Sequence, residues 1–152
     1  TKEITLRGID PSRLIFGKFL SKPGYLARYG VADLFLDTHP YNAGTTASDA
    51  LRMELPVLTY LGSSAASRHA ASIITALNLP ELIAATEEEY ESLAIELATN
   101  PEKLKLIKDK LVSNLSTAPL YDTPLFTRHL ESAYSMMYDR YQRGLDPDHI
   151  YA

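Results

Sequence analysis

Three short apolar runs punctuate the first part of the chain: RLIFG at 13–17, DLFLD at 33–37 and PVLTY at 56–60. Each is nearly continuous rather than alternating, which predicts strands buried on both faces, as in a parallel sheet covered by helices. Between them the apolar positions follow a helical period, over 23–31 and again over 45–54. The order β-α-β-α-β predicts a doubly wound, Rossmann-like α/β sheet.

Beyond the third run, Ala66, Ala70, Ile73, Ile74 and Leu77 form one apolar stripe at helical spacing. LIAA at 82–85 is a candidate short fourth strand. Thr86 and Glu89 have the spacing of a capping box, and three glutamates in the first turn suit the helix dipole, so a helix is expected to run to about Ala98. Asn100-Pro101 opens another helix, and 125–143 reads as a last long one that Gly144 ends. TKEITLR, closed by Gly8, reads as the tail of a helix and so as a start inside a larger fold. The chain is therefore expected to be a single fragment of one lobe, with a βαβαβ part over about 1–85 and a helical part over about 86–152. Three or four strands are too few for a self-sufficient Rossmann sheet, so one edge is expected to continue in sequence outside the chain.

Composition narrows the partners. At 152 residues and 45% hydrophobic, the chain can bury a core. A net charge of −4 provides no basic stripe for a phosphate backbone, which argues against a nucleic-acid partner. No cysteine is present, so disulfides and thiolate metal sites are excluded. No apolar run approaches the roughly 18–20 residues of a membrane span, and no signal peptide is visible at the start. These features read as a soluble, cytoplasmic protein.

In an open parallel sheet, ligands bind beyond the carboxyl ends of the strands, where loops enter helix N-termini. YNAGTTASD, following DLFLD, lies at such a place. Free N–H groups, the positive end of the helix dipole and the hydroxyls of Thr45 and Thr46 suit a diphosphate. Gly44 would let the backbone approach the ligand. Asp49, four residues past Thr45, lies on the same helix face and could accept from ribose hydroxyls. On pattern alone an ordinary threonine N-cap and a solvated carboxylate outweigh that reading. Tyr25, three residues after Lys22, either stacks on a nucleobase or packs as part of an amphipathic face. His39, His69, His129 and His149 show no metal-ligand spacing, and the G-x-S-x-G elbow of a serine hydrolase is absent.

Taken together, ADLFLDTHPYNAGTTASDAL, ASRHAAS and GLDPDHI resemble the C-terminal catalytic lobe of the O-linked N-acetylglucosaminyltransferase family, including its SPINDLY-like members. In these proteins tetratricopeptide repeats precede a two-lobed glycosyltransferase of the GT-B type. The resemblance runs nearly from Leu6 to Ile150 and implies the second half of a nucleotide-sugar-binding lobe. It implies a UDP-N-acetylglucosamine donor, a protein acceptor modified on Ser or Thr, no metal and no further cofactor. It places the diphosphate on Thr45 and Thr46, the ribose on Asp49, and the uridine beside Lys22.

The sequence departs from that family pattern at three places. Tyr25 stands where a histidine is expected, and Gly44 where many members carry a histidine before the two threonines. Arg52-Met53-Glu54 replaces a Trp-Ala-Gly pattern, removing the expected C-cap glycine. The family's N-terminal lobe, with its candidate base, and its repeats would precede Thr1, so no catalytic residue is expected in this stretch and the fragment alone is expected to be inactive. Two alternatives stay open: a non-catalytic interaction or scaffold module derived from such a lobe, and a SPINDLY-like transferase using GDP-fucose.

Overall fold

A computed structural model of the chain describes residues 1–151. At its centre β1 (Phe35–Leu36), β2 (Val57–Tyr60) and β3 (Ile83–Ala84) lie side by side in that order, all parallel. The register sets Phe35 opposite Val57 and Thr59 opposite Ile83. Val57, Leu58 and Thr59 are all fully buried. Successive strand residues point to opposite faces, so both faces of β2 are covered, as the unbroken apolar run predicted.

The covering elements are helices. In chain order they are α1 (Lys2–Leu6), α2 (Lys22–Ala27), α3 (Thr45–Arg52), α4 (His69–Ala76), α5 (Glu87–Thr99), α6 (Pro101–Leu115) and α7 (Thr123–Gln142). A 3-10 turn over Arg28–Val31 extends α2. Leu51 of α3, Ile74 of α4, Leu97 of α5 and Leu111 of α6 converge with Val57 and Leu82 in one apolar cluster. The β-α-β-α-β unit is therefore β1-α3-β2-α4-β3, and the expected short strand at 82–85 is its third strand.

The run at 13–17 is not a strand, contrary to the sequence expectation. Pro11–Arg13 forms a 3-10 turn and the next residues have no regular structure. Ile15 and Phe16 are 88% and 73% exposed. An apolar run becomes a strand only when a neighbour supplies the other half of its hydrogen-bond ladder. Among the described residues nothing pairs with this one, so the unit begins one strand later than the pattern indicated.

The helix ends follow local chemistry closely. Thr86 Oγ1 accepts from the Glu89 N–H at 3.2 Å, while the Glu89 carboxylate accepts from the Ala85 N–H at 2.7 Å, one residue upstream of the reciprocal partner expected. Asn100 Oδ1 caps α6 through the Lys103 N–H. Gly8 and Gly144 take positive φ values of 74° and 64°, closing α1 and α7 as read from sequence.

The end of α3 uses the same device without the glycine. The Leu55 N–H donates to the Ala50 carbonyl and the Glu54 N–H to the Leu51 carbonyl, the two bonds of a Schellman motif. That motif requires a left-handed residue, and Glu54 supplies it at φ 64°. The residue standing where the resemblance expected glycine thus adopts the conformation a glycine would.

Candidate functional site

The loop between β1 and α3 is organised by Asp37, which lies just past β1 and is 7% exposed. One carboxylate oxygen accepts from the Thr38 N–H at 2.8 Å and the Ala43 N–H at 2.7 Å; the other accepts from Thr59 Oγ1 at 2.6 Å. The loop 38–43 is thereby folded back on the strand it leaves. Asn42, also buried, donates its N–H to the Ala66 carbonyl and its amide to the Thr38 carbonyl, while its Oδ1 has no partner among the described residues. Tyr90 donates to the Asp37 carbonyl at 2.8 Å, and burial, aided by the Asp37 charge, raises its phenol above the ordinary value.

This brace delivers Gly44 to the N-cap of α3. Thr45 and Thr46 follow as its first two helical residues, so neither is the N-cap that the pattern alone favoured. No side chain caps the helix. The first-turn N–H groups of an α-helix have no intrahelical acceptor, and here they open beside two exposed hydroxyl residues. Gly44 and Thr46 line a cleft of about 350 Å³ with Asp37, Thr38 and Asn42. Gly44 has an ordinary φ of −100°, and a Cβ there would meet open space. Neither a positive φ nor crowding within the chain demands glycine at this position.

A second wall comes from α2. Lys22 Nζ lies 2.6 Å from Asp49 Oδ2, so the ammonium bridges α2 to the first turns of α3. Asp49 is mostly covered in this pair while Lys22 remains largely exposed. The same ammonium lies 5.0 Å from the Tyr25 ring centroid, and the Arg28 guanidinium 5.7 Å from it. The Tyr25 and Tyr29 hydroxyls are 2.5 Å apart, and Tyr29 donates to the Thr46 carbonyl at 3.2 Å. Burial first, then the bond to Tyr25, raises the Tyr29 phenol far above its ordinary value.

Lys22, Tyr25, Gly44, Thr45, Thr46 and Asp49 therefore gather on one face, where α2 meets the N-terminus of α3. Three further residues escaped the sequence reading: Asp37, Arg28 and Tyr29. Tyr29 follows Tyr25 by four residues, the spacing that puts two side chains on one helix face, and that was the available signal. Asp37 is the acidic end of an apolar strand run, which pattern alone cannot distinguish from a solvated carboxylate.

The remaining polar groups form no second centre of this kind. His39 is stacked at a tilt on Tyr60 and His69 meets Tyr41 edge-on. No group of three or more His, Asp or Glu side chains among the described residues is placed to hold a metal ion. A cleft of about 430 Å³ between α7 and the tail contains none of the residues above, and Arg140 and Asp148 within it already pair.

The family pattern of glycosyl transferase family 41 matches residues 1–130 of this chain. The chain belongs to glycosyl transferase family 41. The UDP-N-acetylglucosamine–peptide N-acetylglucosaminyltransferase of Caenorhabditis elegans is 36% identical over 144 residues, 95% of this chain and 12% of that protein. The probable UDP-N-acetylglucosamine–peptide N-acetylglucosaminyltransferase SPINDLY of Hordeum vulgare is 38% identical over 123 residues, 81% of this chain and 13% of that protein. A mutant O-GlcNAc transferase from Thermobaculum terrenum superimposes with a TM-score of 0.81 at 33% identity, over 90% of this chain and 26% of that one. The family 41 chain described here thus spans roughly an eighth of these curated relatives' length. Its α/β architecture with a parallel sheet is that of the transferase structure it matches.

Proposed function

We propose that this family 41 chain is the donor-binding part of a protein O-glycosyltransferase, holding the UDP moiety of UDP-N-acetylglucosamine for transfer to Ser or Thr of a protein acceptor. The observation that carries the reading is the uncapped N-terminus of α3, bearing exposed Thr45 and Thr46, set beside the Lys22–Asp49 pair. The diphosphate would lie on the first-turn N–H groups and the two hydroxyls. Asp49 would turn one oxygen to the ribose, and Lys22 and Tyr25 would flank the base.

When the glycosidic bond of the donor breaks, negative charge grows on the departing diphosphate. Fixed donors already aimed at that position stabilise the charge without reorganising, which lowers the barrier rather than merely tightening binding. The N–H groups of the helix terminus and the hydroxyls of Thr45 and Thr46 would supply such donors. Transfer itself would require the acceptor and base groups of the longer protein, so this stretch alone binds the donor without turning it over.

The test is the double substitution Thr45→Ala, Thr46→Ala in the complete protein. UDP affinity by titration calorimetry is expected to fall about 100-fold if each threonine contributes a charge-assisted hydrogen bond, with transfer of labelled sugar falling at least as far. Unchanged UDP affinity would sink the assignment. A thermal-shift panel including GDP-fucose separates a uridine from a guanosine donor, and absence of any transfer by the complete protein would favour a scaffold role.

A further inference from the structure

Tyr29 lies between the two halves of the site and touches neither Lys22 nor Asp49 in the contacts above. Its ring is tilted on Phe35 at a centroid distance of 6.5 Å and packs against the apolar core, so it is anchored to the sheet. Its hydroxyl has two partners. One is the Thr46 carbonyl, which can only accept, so the Tyr29 proton goes there. The Tyr29 oxygen is then the acceptor of the Tyr25 proton, and the chain runs in one direction: Tyr25 hydroxyl to Tyr29 hydroxyl to Thr46 carbonyl. The edge-on contact of the two rings, 5.3 Å between centroids, holds the same arrangement.

We infer that Tyr29 is a positioning residue for nucleoside diphosphate binding, fixing the Tyr25 side chain on α2 at a set distance from the first turn of α3. The inference rests on the donor-site reading above. Without Tyr29 the aromatic wall would be held only by the Lys22 and Arg28 contacts to its ring, and both cations are on exposed, flexible side chains. A ligand whose base meets Tyr25 while its diphosphate meets Thr46 needs the spacing between those two subsites fixed before it arrives. Preorganisation of that kind lowers the cost of ordering on binding. Burial first, then the bond to Tyr25, raises the Tyr29 phenol above its ordinary value, consistent with its keeping the proton it donates to the Thr46 carbonyl.

The experiment is a double-mutant cycle in the complete protein, with UDP as the probe and calorimetry as the readout. Tyr29→Phe keeps the ring and its packing and removes only the hydroxyl. UDP affinity is expected to fall about tenfold, the scale of one hydrogen bond's net contribution. In a Tyr25→Phe background the same substitution is expected to cost nothing further, because Tyr29 acts through Tyr25. A purely structural role would lower the melting temperature and leave that non-additivity absent. Undiminished UDP affinity in Tyr29→Phe, or losses that simply add, overturns the inference. If the Thr45→Ala, Thr46→Ala protein loses UDP while Tyr29→Phe does not, the donor site stands and the role of Tyr29 fails; if neither loses UDP, both fail.

Discussion

Asp49 Oδ2 accepts from Lys22 Nζ at 2.6 Å across 27 residues of sequence, and this one contact ties the wall of α2 to α3. On the donor-site reading proposed above, this is the carboxylate that the ribose would use. On that reading, binding would require Asp49 to offer its second oxygen or the pair to open, and with Lys22 largely exposed the opening is inexpensive.

Asp49→Asn should lower UDP affinity about tenfold if the carboxylate accepts from ribose hydroxyls, the scale of a hydrogen bond to a charged group. The same substitution should matter less for 2′-deoxy-UDP, which lacks one of those hydroxyls. Calorimetric titration of both nucleotides against both proteins is the check. An equal loss for the two ligands would mean that Asp49 acts through Lys22 rather than on the 2′ hydroxyl.

Gly44→His should be accepted by the fold, because φ there is negative and the space for a side chain is open. The melting temperature should move little, and on the donor-site reading UDP affinity should rise, since the imidazole adds a donor at the helix terminus proposed to hold the diphosphate. Gly62→Ala is the contrasting control. Its new Cβ would stand 2.2 Å from Ser67 Oγ and 2.5 Å from Ser67 Cβ, so a loss of ~1–3 kcal/mol is expected.

Glu54→Gly should stabilise the complete protein. A left-handed conformation costs a side-chain-bearing residue about 1–2 kcal/mol relative to glycine, partly offset by the entropy glycine brings to the unfolded chain. The net gain expected is on the order of 0.5–1 kcal/mol, read as a higher denaturation midpoint with the same slope. A lower midpoint would show that the glutamate side chain contributes something the backbone does not reveal.

In alkaline titration three half-buried tyrosines should ionise above the ordinary tyrosine range. Tyr29, Tyr90 and Tyr121 are all raised above 10.0, burial being the first cause in each. Between the unfolded and folded values the native state retains protons that the unfolded state has released. Their contribution to stability is therefore full below the ordinary tyrosine range and is lost as pH rises through the folded values. Phenolate absorbance followed alongside unfolding should show these three ionising late, with the denaturation midpoint falling over the same interval. Ionisation of these three within the ordinary tyrosine range would contradict their burial.

Much of the fold was legible because it is written in local chemistry. Thr86 and Asn100 cap the helices they announce, Gly8 and Gly144 close theirs, and the continuous apolar run at 56–60 is a strand covered on both faces. Of the six residues singled out, Lys22 and Tyr25 lie on α2 and Gly44, Thr45, Thr46 and Asp49 at the cap and first turns of α3, joined through the Lys22–Asp49 pair. The run at 13–17 was misread because an apolar run carries no information about whether a ladder partner is available to it. Asp37 was invisible for a related reason: its burial depends on Thr59 arriving from β2 with a hydroxyl.

What the sequence determined alone is thus the helices whose ends carry their own capping residues, such as Thr86, Asn100 and Gly144, and the identity of the chemistry-bearing side chains, since each depends on neighbours within a few residues. What only the tertiary structure decided is which of those side chains meet. Lys22 finds Asp49, Tyr29 finds Thr46 and Tyr90 finds Asp37 across 27, 17 and 53 residues of chain. Such pairs are specified by where packing against the sheet leaves each helix, and no local pattern encodes that distance.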